Sequence, residues 1–117
     1  MTELFAYKIL TRDQWEAWRA EGVFNGAPVD LADGYIHLSA RDQVVETVKK
    51  HFAGQDDLIL AMIDLAALGD AVKWEPSRGG ALFPHVYGQI PMSAVTTKAV
   101  LRLDATGQHV FPAGFSD

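Results

Sequence analysis

Four stretches of the chain carry side chains able to do chemistry. In Gly34-Tyr35-Ile36-His37-Leu38-Ser39, strand alternation puts Tyr35, His37 and Ser39 on the face opposite Ile36 and Leu38. Ser39 also reads as the start of a helix, where free backbone N–H groups and the helix dipole favour a phosphate or carboxylate. The plainer alternative is a capping serine beside a satisfied, half-buried imidazole. In Phe83-Pro84-His85-Val86-Tyr87-Gly88, an imidazole and a phenol share a face if the segment is extended. Tyr87 offers a flat ring for stacking on a planar ligand, and Gly88 lets a ligand approach the backbone. An aromatic turn covering the core fits the same residues. Arg78-Gly79-Gly80 is a candidate anion cradle of guanidinium and backbone N–H groups, with a flexible loop as its ordinary reading. Glu75, after Trp74 and before Pro76, could serve as a general base or hold a ribose hydroxyl, or simply face water from an edge strand.

Other chemistries lack their residues. Without cysteine there are no disulfides, thiolate ligands or thiol nucleophiles. No pair among His37, His51, His85 and His109 has the i, i+4 spacing of zinc ligands on a helix, so no metal is expected. No serine stands in a G-x-S-x-G elbow, neither G-x-G-x-x-G nor a P-loop occurs, and no carboxylate pair suits glycoside hydrolysis.

The elements that must position these residues follow from periodicity. Residues 4–10 alternate as a strand, with Phe5, Tyr7 and Ile9 on one face and Ala6 and Lys8 on the other. Thr11 and Gln14 have the spacing of a capping box, Trp15 and Trp18 share a helical face, and Gly22 ends that helix. Asn25, Gly26, Pro28, Asp33 and Gly34 predict an irregular connection into a short strand at residues 35–38. A second helix, capped by Ser39, buries Val44, Val45, Val48 and Phe52, pairs Glu46 with Lys50 on its wet side and stops at Gly54. The unbroken apolar run 58–63 predicts a central strand covered on both faces. A short strand follows at 72–75, then a glycine-rich loop through 77–84, then a half-buried strand in which Thr97, Ala99, Leu101 and Leu103 alternate with Lys98, Val100, Arg102 and Asp104, and a loose tail. Two helices in the N-terminal half and about five strands make an α+β domain, because strict β-α-β alternation stops at the middle strand.

The chain has 117 residues, 49% of them apolar and 21% charged, which predicts one globular domain spanning 1–117. Its net charge of −5 argues against nucleic-acid binding and leaves room only for a small local basic patch. The longest apolar run, six residues, cannot span a bilayer, and the N-terminus does not read as a signal peptide, so a cytoplasmic location is expected.

The order of an aromatic opening strand, a Trp-bearing helix, D-G-Y-I-H-L-S, a W-E strand and F-P-H-V-Y-G resembles the small bacterial family catalogued as domain of unknown function 952, from Phe5 to about Leu103. That family is similar in fold to the ADP-ribosyltransferases, and the resemblance implies a mixed, split β-sheet holding NAD in a cleft. Carried over residue by residue, His37 matches the histidine that contacts the nicotinamide ribose and Tyr87 the ring that stacks on nicotinamide. The third position, a later acid, departs from the pattern: only Asp104 and Asp117 follow Tyr87, and Glu75 serves only if the order of motifs is broken. The expected ligand is NAD, ADP-ribose or a related nucleotide, with His37, Tyr87 and Glu75 as the catalytic candidates and Ser39, Arg41, Arg78 and His85 binding it. ADP-ribosyl transfer is one implied chemistry, and the phosphotransfer of a related RNA 2'-phosphotransferase group is another. A noncatalytic small-anion-binding or protein-interaction module around Trp74 and Phe83 is the alternative.

Overall fold

A computed structural model describes residues 3–115, apart from the side chain of Arg78. The strands are β1 (Phe5–Thr11), β2 (Val23–Phe24), β3 (Ile36–His37), β4 (Leu58–Asp64), β5 (Val72–Pro76), β6 (Leu82–Val86), β7 (Ile90–Pro91) and β8 (Val95–Leu101). The helices are α1 (Arg12–Glu21), α2 (Pro28–Asp33) and α3 (Val44–His51). The strands form three sheets ordered β1-β4-β8, β2-β7 and β3-β6-β5, and every ladder between them is antiparallel. The domain is therefore α+β, and its sheet is split into three pieces but is antiparallel throughout, not mixed as the resemblance implied.

β4 lies between β1 and β8, as an apolar run without alternation requires. Both faces of β1 are covered. Ala6 and Leu10 join a core with Trp15, Trp18, Ile36 and Val86, while Tyr7 and Ile9 join a second core with Val44, Val48, Leu58 and Leu101. Lys8 is consequently buried with its neighbours. Thr11 and Gln14 form the expected capping box, and Gly22 ends α1 at φ 82°, the left-handed region that glycine tolerates best. Among the described residues no helix is long and apolar enough to cross a membrane.

Four further expectations are corrected. The connection before residue 35 contains a third helix of the N-terminal half, α2, started by Pro28 at its first turn and closed by Gly34. Ser39 does not cap a helix: its backbone pairs with Tyr7, and the next helical turn begins after Ala40, whose N–H is held by the Gln43 side chain. Residues 82–86 are strand rather than loop, because β6 is the middle strand of its sheet and its two neighbours supply the backbone partners. The tail is tied down, since Leu103 bridges to His109 and Phe111 and Phe115 pack on the second core.

Candidate functional site

The β3-β6-β5 sheet has one face turned to the core and one turned outward. Ile36, Val86, Val72 and Trp74 point to the core. Alternation places Tyr35 and His37 of one edge, Phe83, His85 and Tyr87 of the centre, and Glu75 of the other edge on the opposite face. His37 and His85 are direct cross-strand partners, and their rings lie 5.5 Å apart between centroids. Tyr35 stacks on His85 at 4.1 Å and also touches His37 at 4.7 Å and Tyr87 at 5.3 Å. Spacing in the sequence did bring these aromatic and imidazole groups to one face.

Each histidine is held by a carboxylate. His85 Nδ1 lies 2.7 Å from Glu75 Oε1, and the Tyr87 hydroxyl donates to both oxygens of Glu75 at 2.8 and 3.1 Å. The hydrogen bonds from His85 and then Tyr87 keep Glu75 below the usual carboxylate range, and Glu75 in turn raises Tyr87 above the usual phenol range. His37 Nδ1 lies 2.6 Å from Asp30 Oδ1. Asp30 was not singled out in the sequence, yet it is the most completely coordinated side chain of the site. It is 1% exposed and also accepts from Lys8 Nζ at 3.0 and 3.2 Å, from the Ala27 N–H at 2.7 Å and from the His37 N–H at 3.1 Å. Burial alone would raise Asp30, but Lys8 and the hydrogen bonds from His37 and Ala27 outweigh it and hold the carboxyl low. Burial pushes Lys8 down, against the pull of Asp30, and its ammonium also donates to the His37 carbonyl at 2.9 Å.

His37 and His85 line one cavity of about 770 Å³. Ile9, Val29, Leu38, Phe52 and Phe83 give it apolar walls, and Lys8, Asp33, Ser39 and Thr47 add polar groups. The Ser39 hydroxyl is 3.0 Å from that of Thr47 on α3. Tyr87 and Glu75 stand beside this cavity rather than in its wall, joined to it through Tyr35 and His85. Arg41 lies away from it, bonded to the Tyr7 hydroxyl at 3.0 Å and to the Gly114 carbonyl, with its guanidinium over Phe115. The Arg78-Gly79-Gly80 segment forms a short 3-10 turn with Gly79 at φ 70°; the Arg78 side chain is outside the description. Of the two later acids, Asp104 closes a local turn on Thr106 and Gln108, and Asp117 lies outside the described residues.

The chain and its fold match a known group of proteins. The chain belongs to the family described as protein of unknown function DUF952, whose model covers residues 9–98. Among solved structures it is similar to protein CC0527 from Caulobacter crescentus. The crystal structure of that protein is 51% identical, covers 91% of this chain and 93% of its own, and superposes with a TM-score of 0.86. The solution NMR structure of CC0527 has a TM-score of 0.80 at 51% identity, covering 91% of both chains. No curated protein matches the chain.

Proposed function

We propose that the cavity bounded by His37 and His85 binds NAD, ADP-ribose or a related nucleotide, in a fold of the ADP-ribosyltransferase kind. The observation that carries this reading is the pair of carboxylate-held imidazoles, adjacent across one ladder, on the wall of a single cavity of about 770 Å³. That volume falls in the usual range for small-molecule pockets, roughly 300–1,000 Å³. Asp30 and Glu75 fix the orientation of the two rings before a ligand arrives, which lowers the ordering cost of binding. The Tyr35–His85 stack offers a flat platform for a base at its margin.

A second reading, binding without turnover, has its own support. Stabilising a ribosyl cation calls for a carboxylate close to the reacting carbon. Glu75 already accepts from His85 and Tyr87, and Asp30 is enclosed by Lys8 and backbone N–H groups, so both are occupied in holding the site together.

A thermal-shift and calorimetric panel of NAD, ADP-ribose, nicotinamide and nucleoside phosphates tests the binding claim. Stabilisation that rises with ligand concentration and vanishes in His37→Ala is the expected result. No response at millimolar ligand overturns it. NAD consumption that His37→Ala abolishes would select transfer over simple binding.

A further inference from the structure

His37 lies between two carboxylates, with Nδ1 2.6 Å from Asp30 Oδ1 and Nε2 2.9 Å from Asp33 Oδ2. An ionised carboxylate only accepts, and a neutral imidazole has one N–H. Acceptors at both nitrogens are therefore satisfied by the imidazolium form. The two carboxylates are not equivalent. The Asp30 side chain is fully buried and carries Lys8 and two backbone N–H groups besides the ring. The Asp33 side chain is 47% exposed, and Asp33 is the last residue of the short helix α2. Lys8 already balances Asp30, so whenever the ring of His37 is protonated its charge falls to Asp33 to balance. Asp33, His37 and the hydroxyl-bearing Ser39 all line the same cavity.

We infer that Asp33 occupies an oxyanion subsite of the cavity, and that a phosphate or carboxylate oxygen of the ligand replaces it on His37 Nε2. The exchange substitutes one anion for another beside the imidazolium, so no charge is left unpaired, and the released Asp33 carboxylate returns to water. The inference rests on the cavity being a ligand site; under the nucleotide reading the incoming anion is a phosphate. Because the chain's own carboxylate competes, the measured affinity for an anion is lowered by the fraction of molecules in which Asp33 is seated.

The test is a titration of the histidine side-chain resonances by NMR with inorganic phosphate, acetate and ADP-ribose, at mildly acidic pH where an ordinary imidazole is protonated. It compares wild type, Asp33→Ala, Asp33→Asn and Asp70→Asn, the last removing an exposed acid that is not in the cavity wall. Asp33→Ala is expected to bind anions about ten-fold more tightly, with the change centred on His37 Nε2, Asp33→Asn to fall between, and Asp70→Asn to stay within about two-fold of wild type. A gain for phosphate alone assigns the subsite to phosphoryl groups, and a gain for acetate as well assigns it to oxyanions in general. Equal gains in Asp33→Ala and Asp70→Asn, or no response at His37, overturn the inference. If small anions bind Asp33→Ala at His37 while nucleotides bind neither protein, the subsite stands and the nucleotide reading falls. If ADP-ribose binds wild type and Asp33→Ala alike, the nucleotide reading stands and the subsite falls.

Discussion

Asp30→Asn keeps the shape of a buried side chain and removes the charge around which the site is organised. Its carboxylate accepts from Lys8, from the backbone of Ala27 and His37, and from the ring of His37. The amide that replaces one oxygen must face donors in either orientation: Lys8 and the Ala27 N–H on one side, Lys8 and both His37 nitrogens on the other. Stranding a buried ammonium typically costs about 3–5 kcal/mol. An orphaned N–H adds roughly 1–3 kcal/mol, with partial overlap between the two, so the expected loss is about 4–5 kcal/mol. Lys8→Met leaves the buried Asp30 carboxylate without its ammonium but with three N–H donors still in place, and should cost less, about 2–3 kcal/mol. Urea unfolding of both variants, followed by tryptophan fluorescence with the slope compared to wild type, measures the difference. A Lys8→Met loss equal to or larger than that of Asp30→Asn would refute the claim that Asp30, not the ion pair alone, holds the site together.

The acid limb of stability should carry the same signature. Because the folded pKa of Asp30 is depressed, its contribution is complete above the unfolded value near 4 and is lost as pH falls through the folded one. Glu75 acts in the same direction, so the urea midpoint should drop on acidification, more steeply in wild type than in Asp30→Asn; a midpoint that rises in acid would contradict this. Gly26→Ala should destabilise more than Gly22→Ala in thermal melts. Both glycines have positive φ, but a Cβ at Gly26 meets Asp30 Cβ at 3.0 Å, whereas nothing lies within 4 Å at Gly22. Thr11→Ala should lose about 1 kcal/mol through the capping box, and a matching loss of α1 protection in hydrogen exchange would locate the effect.

Much of the frame was legible in local pattern. The Thr11–Gln14 box, Gly22, the doubly covered β4 and the opposition of His37 and Ser39 to Ile36 and Leu38 are all set by neighbours within a few residues. The helix α2 was not, because six residues between Gly26 and Gly34, opening on Pro28, show the punctuation of a loop and too little periodicity for a helix. Asp30 was hidden with it: its partners Lys8 and His37 are brought close only when β1 and β3 meet beneath α2. Ser39 misled for a related reason. Its type and position suit a cap, but the bridge to Tyr7 pulls its backbone into the sheet and moves the cap on by one residue, to Ala40. Arg41, two residues after Ser39, has the charge and position of an anion ligand in the sequence. The side chain goes instead to Tyr7 and to Phe115 near the end of the chain, a contact 74 residues away that no local pattern announces.

A crystal of the protein soaked with ADP-ribose bears most directly on the central claim. The account predicts density between His37 and His85, with a ribosyl or phosphoryl oxygen within hydrogen-bond distance of a ring nitrogen. A cavity left empty at saturating ligand, or a ligand bound on another face of the molecule, would contradict it.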